Sequence, residues 1–546
     1  MSWTMRRRAA LAGVLLALLP GVAAAAAGAP PGSPDRGPAP RLTWSACGTT
    51  PAARAAKVQC ATATLPMDYD APDGAQVRLA VAKVPATNPG HRIGSLFFNL
   101  GGPGGPAVDY LQSRGAGLFA GLNDRFDIVG FDPRGVGQSV PAIDCHVDQE
   151  TEGIYSLPVP TPLDIDVDAY LAKARSYVAA CQAHDGAILA HVSTANVARD
   201  LDALRAAVGD QRLTYLGYSY GTVLGATYAS MFPDRYRAVV LDSAVDAPSY
   251  LHAPMQNIAD QTAGFEDALD RFLTACAADR AACSGFGGSE PAVAYDDLLA
   301  AAERAPIPAA GYAADPRPVT ADDIRTATMS LLYAKQLWGY LALALAHAGG
   351  GDGALVRAFV DRFYDRRPDG TYAPTLDRYF TITAAEQDYP RDHLGRYLGR
   401  GARSWADYPH FWGNSGYAEI SYSLWPTHDP DAYRGPFRVP DGAPTALVVN
   451  LTHDPATPYP GARHLVRVLG NARLLTVDGD GHGAYGMSSA CVNGAAEAYL
   501  VSGTLPAAGT VCAQDVAFRA PQPVPAAASD GALADAVAAL VPVGAG

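Results

Sequence analysis

The segment from residue 213 to residue 221, which reads LTYLGYSYG, constrains the fold of this chain more than any other. Residues 213–216 have the composition of a short strand, and residues 222–231 have a helical pattern. The turn between them fits G-x-S-x-G, with Gly217 and Gly221 on either side of Ser219. Glycine avoids a clash where a strand and a helix meet in so tight a turn. The sequence therefore predicts a strand, a strained turn that presents Ser219, and a helix.

Strand-like runs recur on both sides of this turn. They occupy residues 77–84, 95–100, 126–131, 238–241, 445–451 and 473–477. Strands that alternate with helices are typical of a mostly parallel sheet with helices on both faces. Between residues 248 and 440 the pattern changes to long helices, at 258–276 and 321–347, and an insertion this long is no ordinary loop. We therefore expect an α/β-hydrolase fold, with a core of residues 41–247 and 441–513 and a large, mainly helical cap at 248–440.

Two residues after the late strands complete a catalytic set. A serine hydroxyl needs a base at neutral pH, and that base needs an acid to orient it. In an α/β hydrolase the acid and then the histidine follow the serine in the chain. Asp454 follows the predicted strand at 445–451, and His482 follows the one at 473–477. We predict Ser219, Asp454 and His482 as the catalytic residues.

Two other residues compete for these roles. His453 is a rival base, although it adjoins Asp454 on the same loop, and a structural role suits it better. Asp242 is a rival acid, because it follows the predicted strand at 238–241 and some hydrolases carry their acid there.

The backbone around the predicted nucleophile has the composition of an oxyanion hole. Such a site needs two N–H donors, and one is predicted at Tyr220, directly after the serine. The other is expected after residue 100, where Gly101 and Gly102 let the backbone approach a substrate. A phosphate-binding loop is the competing interpretation, but the segment fits neither G-x-G-x-x-G nor a P-loop. We expect no cofactor.

The N-terminus has the three parts of a secretory signal at residues 1–27. Three arginines precede an apolar stretch at 9–19, and Ala-rich sequence follows. A membrane anchor is the alternative, but the apolar stretch falls short of the ~20 residues that a spanning helix needs. Residues 28–40 are a Pro-rich leader, and residues 514–546 are an Ala/Pro-rich tail. We expect a secreted, extracellular protein with no stable membrane insertion once the signal is removed.

Export makes disulfides possible, and the eight cysteines fall into four close pairs. Sequential pairing is the simplest of the 105 possible connectivities. It would join Cys47 to Cys60, Cys145 to Cys181, Cys276 to Cys283, and Cys491 to Cys512. A zinc site is the alternative, but the chain has neither C-x-x-C nor H-E-x-x-H, so we expect no metal.

Taken together, these motifs resemble those of the secreted bacterial tripeptidyl aminopeptidases, a branch of the prolyl-aminopeptidase-like α/β hydrolases. The resemblance runs from residue 42 to residue 513. It rests on PMDY at 66–69, GGPGG at 101–105, FDPRGVG at 131–137, GYSYGT at 217–222, DPATP at 454–458, GHG at 481–483 and the Cys491/Cys512 segment. It implies the triad named above, a helical cap, and release of short peptides from the free N-terminus of a substrate.

The sequence departs from the family in two places. Leu100 stands where relatives usually have proline before the glycine loop, and Pro106-Ala107 stand where they have Ser-Gly. In the cap, residues 382–386 read ITAAE where many relatives have Cys-x-Asp, so a cap disulfide of those relatives is missing. The acidic position survives as Glu386.

An aminopeptidase must bind an ammonium group, and buried carboxylates near the triad are the physical solution. The candidates are Glu386, Asp388 and Glu419, although each would also suit an ordinary charged residue of the cap. We expect a monomer that acts on a peptide with a free N-terminus. An esterase or amidase with the same triad is the alternative. A net charge of −13 without a basic block argues against nucleic acid as a partner.

Overall fold

The computed structural model describes residues 39–391 and 393–521. The predicted signal, most of the leader and the end of the tail from residue 522 lie outside these residues. Within them, ten strands form one sheet. The strands are β1 (Ser45–Ala46), β2 (Gln59–Pro66), β3 (Gln76–Val84), β4 (Gly94–Asn99), β5 (Phe126–Phe131), β6 (Leu213–Tyr218), β7 (Tyr236–Asp242), β8 (Ala446–His453), β9 (Ala472–Asp480) and β10 (Val511–Ala513).

The strand order across the sheet is β1-β2-β3-β5-β4-β6-β7-β8-β9-β10. The pairs β1–β2, β2–β3 and β3–β5 are antiparallel. From β5 to β10 every neighbouring pair is parallel. The carboxyl ends of β4, β6, β7, β8 and β9 therefore meet at one edge, where ligands bind in open α/β sheets. This arrangement confirms the predicted α/β-hydrolase fold.

Helices cover both faces of the sheet and fill the interval between β7 and β8. They are α1 (Pro51–Ala55), α2 (Val108–Arg114), α3 (Val167–Asp185), α4 (Thr194–Ala207), α5 (Tyr220–Met231), α6 (Ala247–His252), α7 (Pro254–Ala278), α8 (Pro291–Arg304), α9 (Ala321–Leu332), α10 (Trp338–Gly349), α11 (Ala354–Phe363), α12 (Thr375–Glu386), α13 (Leu394–Asp407), α14 (Ile420–Ser423), α15 (Tyr459–Leu469) and α16 (Ala490–Ser502). Helices α6 to α14 form the expected helical insertion. None of the described helices is long and apolar enough to cross a bilayer.

One predicted helix of the insertion is wrong. Residues 321–347 were expected to form a continuous helix, but they form α9 and α10 with a break at residues 333–337. The backbone at the break bonds elsewhere: Tyr333 O accepts the N–H of His482, and Ala334 pairs with Gly481 in a β-bridge. The helix is therefore interrupted where its backbone bonds to the predicted histidine loop, although the local sequence pattern is helical.

Side chains from alternate positions of the central strands enter two apolar cores. In β4, Leu96 and Phe98 face one core and Phe97 faces the other, all without exposed surface. Strands that are buried on both faces are expected in a parallel sheet that helices cover. The core that contains Phe97 continues into the insertion through residues such as Phe272 and Trp338. Sheet and insertion therefore share one apolar interior.

The start of the C-terminal tail packs against the insertion. The ring of Phe518, in the Ala/Pro-rich tail, contacts both Phe272 and Trp338. The amide of Gln514 also bonds to the backbone of Asp480. One aromatic side chain in an Ala/Pro-rich segment is enough to bury part of it against the cap.

Four disulfides are present, in the expected sequential pairs. They join Cys47 to Cys60, Cys145 to Cys181, Cys276 to Cys283, and Cys491 to Cys512. The described residues contain no free cysteine. Each bond closes a loop of 7 to 36 residues, so each restrains a short local segment and none joins distant parts of the chain.

Candidate active site

Ser219 occupies the turn between β6 and α5. Its backbone has φ 54° and ψ −126°, a conformation that residues with a side chain rarely adopt. A Cβ atom on Gly217 would lie 2.3 Å from the carbonyl oxygen of Gly221, and one on Gly221 would lie 2.8 Å from that of Asn99. Only glycine fits at these two positions, as the G-x-S-x-G pattern indicated.

The glycine loop after β4 lies directly against this turn. A Cβ on Gly101 would come within 2.8 Å of Ser219 Cβ and 3.3 Å of Tyr220 N. The N–H of Gly101 itself donates to Asn99 Oδ1 at 2.9 Å. Gly101 therefore provides the close approach, while its own N–H is engaged elsewhere. This corrects its expected part in the oxyanion hole, for which Gly102 and Tyr220 stay the predicted donors.

His482 and Asp454 form a buried pair at the same edge of the sheet. Asp454 Oδ1 and Oδ2 lie 2.9 and 3.0 Å from His482 Nδ1, and neither side chain has exposed surface. Asp454 also accepts the N–H groups of Ala456 and Thr457 and the hydroxyl of Thr457. These donors hold the carboxylate so that it can orient the imidazole. The sequence had not indicated the contribution of Thr457.

The second ring nitrogen of the histidine is poised for another contact. His482 Nε2 is buried and has no hydrogen-bond partner among the described residues. In a serine hydrolase this atom takes the proton of the nucleophile, and the bond often tightens only when substrate is bound. His482 and Asp454 thus stay the predicted base and acid for Ser219.

The two rival residues have other partners. Asp242 is fully buried, and its carboxylate accepts the N–H groups of Ala484 and Tyr485 in the loop after His482. Burial raises the pKa of Asp242 to about 6. His453 Nδ1 lies 2.9 Å from Asp267 Oδ2. Asp242 therefore supports the histidine loop, and His453 bonds to the insertion.

The insertion also holds the histidine loop. The His482 N–H donates to Tyr333 O at 2.6 Å, and the Tyr333 ring stands edge-on to the imidazole. Asp480 accepts hydrogen bonds from Arg271 and from Lys335. Burial alone would raise the pKa of Asp480, but these two cations hold it below its ordinary value. These contacts join residues far apart in the sequence, and no local pattern indicated them.

A cleft of about 510 Å³ opens beside Ser219, and we call it the main cleft. Its wall includes Tyr250 and Tyr379 as well as Asp454. Within the described chain, Asp246, Asp260 and Asp267 line it and no lysine or arginine does. The main cleft therefore suits a neutral or cationic group better than an anionic one.

Glu386 lies behind the wall of the main cleft. It has no exposed surface and accepts three hydrogen bonds of 2.8 Å, from the N–H and hydroxyl of Thr194 and from the hydroxyl of Tyr250. The Thr194 hydroxyl also shares a hydrogen bond with Tyr220. Burial raises the pKa of Glu386 to about 7 despite these donors. Its connection to the site passes through Tyr250 and Tyr220.

The other two candidate acids differ in burial. Glu419 is buried and accepts hydrogen bonds from the Tyr389 hydroxyl and the Gly416 N–H, and burial raises its pKa to about 7. The Asp388 side chain is 46% exposed and pairs with His252 and Arg434. Asp388 thus lacks the burial that ammonium recognition was expected to need.

The raised pKa of Glu419 predicts a pH-dependent stability. Its folded pKa of about 7 exceeds the ordinary 4.5, so folded protein holds the proton more tightly, and stability falls as pH rises from 4.5 through 7. The upper bound is roughly 3 kcal/mol. In the Glu419→Gln variant, the amide oxygen can still accept the Gly416 N–H. The variant should lose the part of the pH dependence of the unfolding free energy that comes from this carboxyl group. Chemical denaturation between pH 4 and 8 measures the effect. An unchanged slope, or the same change in the exposed control Glu303→Gln, would contradict it.

Comparisons with known proteins agree with this architecture. A family model described as "TAP-like protein" matches residues 410–512, and one described as "alpha/beta hydrolase fold" matches residues 96–285. The chain is 35% identical over 466 residues to serine protease Hip1 of Mycobacterium tuberculosis, covering 83% of this chain and 87% of the relative.

Two further relatives have a similar extent. Carboxylesterase B of Mycobacterium tuberculosis is 35% identical over 498 residues, which is 89% of this chain and 92% of that protein. The tripeptidyl aminopeptidase of Streptomyces coelicolor is 33% identical over 466 residues, 84% of this chain and 83% of its own length. Identity of this level over most of both chains shows common family membership. The chain belongs to the TAP-like family of α/β hydrolases.

Proposed function

We propose that this protein is a secreted serine exopeptidase that cleaves peptide bonds near a free N-terminus. The buried His482–Asp454 pair, held at the same sheet edge as the strained turn of Ser219, carries this proposal. Relatives named serine protease and tripeptidyl aminopeptidase support the peptidase assignment. Four disulfides and the signal-like N-terminus support secretion.

In the proposed mechanism Ser219 Oγ attacks the carbonyl carbon of the scissile bond while His482 Nε2 takes the hydroxyl proton. Asp454 stabilises the imidazolium that forms. The N–H groups of Gly102 and Tyr220 bind the oxyanion. His482 then gives its proton to the leaving amine, the C–N bond breaks, and an acyl-enzyme remains. Water attacks this ester by the same route and releases the N-terminal peptide.

Among the buried acids, Glu386 is our first candidate for recognising the substrate's ammonium group. Tyr250 lines the main cleft and donates to Glu386, so a small shift of that side chain would bring the carboxylate to the cleft. An ammonium ion favours the ionised carboxylate and would lower its pKa from about 7. Glu419, farther along the insertion, is the second candidate.

An esterase is the alternative function, because one relative of equal identity is named carboxylesterase B. The same triad and oxyanion donors would serve an ester. The two functions differ in what they require of the substrate. Only an exopeptidase of this type should require a substrate with a free N-terminus.

Removal of the nucleophile tests the triad. Ser219→Ala should lower kcat by roughly 10⁴-fold or more, because no other group can form the acyl-enzyme. The exposed-turn control Ser289→Ala should leave kcat unchanged. Both variants should unfold at the wild-type temperature or slightly above it, because replacing serine with alanine removes only a hydroxyl group and leaves the packing intact at either site. Near-wild-type turnover by Ser219→Ala would refute the assignment.

The choice between Asp454 and Asp242 as the acid has a separate test. Asp454→Asn should cost roughly 10⁴-fold in kcat, because the amide favours the wrong tautomer of His482. Asp242→Asn loses an acceptor for one of two buried N–H groups, so it should lower stability by roughly 1–3 kcal/mol with a smaller fall in kcat. Turnover and urea unfolding measure the two effects, and the reverse pattern would make Asp242 the acid.

Hydrolysis of matched substrates separates the two functions. Free tripeptide p-nitroanilides should be cleaved at least tenfold faster, in kcat/KM, than their N-acetylated forms, because acetylation removes the charge that the buried carboxylate would bind. Glu386→Asp keeps the charge and should keep the preference, whereas Glu386→Gln should lose it. Equal cleavage of both substrates, or activity on simple esters alone, would favour the esterase.

A further inference from the structure

A second, narrower cavity reaches Ser219 from the side of the insertion. It has a volume of about 50 Å³, and the core residues that line it include Gly102, Ser219 and Ala456. The rest of its lining is mainly aromatic and apolar, with Phe265, Met329 and Phe363 among the residues. We call it the side cavity. It differs from the main cleft in size and in charge, because no aspartate or glutamate of the described chain lines it.

A third cavity, of about 60 Å³, lies beyond the side cavity and extends to Tyr170 and Trp412. The two cavities share four lining residues: Tyr155, Met329, Phe363 and Asn414. These four side chains form the partition between them. The depth available from Ser219 is therefore set by the partition.

The volume of the side cavity limits what can enter it. An engineered apolar cavity of about 150 Å³ holds one benzene molecule, so a cavity of about 50 Å³ is too small for an aromatic ring. The side cavity therefore suits an aliphatic side chain better than phenylalanine or tryptophan. A charged side chain would lose its hydration there without an opposite charge among the described lining residues.

We propose that the side cavity is the specificity pocket for the residue whose carbonyl carbon Ser219 attacks, and that it selects aliphatic side chains over aromatic and charged ones. The inference rests on the proposed peptidase function. Gly102 lines both cavities and is a predicted oxyanion donor, so a carbonyl bound there places the adjacent side chain at the mouth of the side cavity. The main cleft has the room for the remaining peptide backbone.

The partition predicts how the preference can be changed. Met329→Ala removes a side chain that stands between the two cavities. The space that this side chain vacates joins the two cavities, of about 50 and about 60 Å³, into one that would admit an aromatic ring. Met329→Leu keeps the partition filled. Met255→Ala removes a methionine that lines neither cavity, and it serves as the matched control.

The test uses free tripeptides Ala-Ala-X-p-nitroanilide, with X as Ala, Leu, Met, Phe, Trp, Lys or Glu. Wild-type kcat/KM should be higher for the aliphatic residues Ala, Leu and Met than for Phe and Lys, by at least tenfold, since one methylene in an apolar pocket already discriminates by about that factor. Met329→Ala should reverse the Leu/Phe order. Met329→Leu and Met255→Ala should keep it.

A second substrate series keeps this pocket test independent of peptidase activity. The same residues X are offered as p-nitrophenyl esters of the N-acetylated amino acid. If esters are cleaved in the predicted order but peptides are not, the pocket stands and the peptidase proposal fails. Equal rates for all X in both series, or a Leu/Phe ratio that Met329→Ala leaves unchanged, overturn the pocket. A protein that cleaves neither series overturns both.

Discussion

The contact between β4, β6 and the turn at Ser219 is the constraint on which the rest of the site depends. Gly217 and Gly221 allow the chain to reverse within van der Waals distance of Asn99, and Gly101 then lies against the nucleophile itself. A side chain at any of these glycines would push the strands apart. The turn therefore sets the spacing of the sheet edge and, with it, the distance between the serine and its predicted oxyanion donors.

The insertion does more than cover this edge. It accepts the backbone N–H of His482 at Tyr333 and binds Asp480 through Arg271 and Lys335. From the core side, Asp242 holds the same loop through two backbone N–H groups. The imidazole is thus positioned by both parts of the fold, and the break between α9 and α10 is the structural consequence. A motion of the insertion as a rigid lid would have to break these bonds.

Three buried carboxyl groups lie outside the lining of the main cleft. Asp242 serves the histidine loop, Glu386 connects to Tyr250 and Tyr220, and Glu419 bonds to Tyr389 and Gly416. Burial raises the pKa of each, to between about 6 and about 7. Such groups cost stability at neutral pH, because burial disfavours the charged form of each carboxyl group.

Short stretches of sequence indicated much of the fold and of the candidate site. The G-x-S-x-G turn and the four short disulfide loops join residues close together in the sequence, and Ser219, Asp454 and His482 follow the chain order of an α/β hydrolase, so the sequence alone indicated them. Tertiary structure decided the rest: the broken helix at residue 333, the bond of Thr194 to Glu386 across 192 residues, the exposure of Asp388 and the shape of the side cavity. The burial and pairing of side chains that are distant in the chain depend on how the helices pack on the sheet. A local sequence pattern does not indicate which of these side chains will meet.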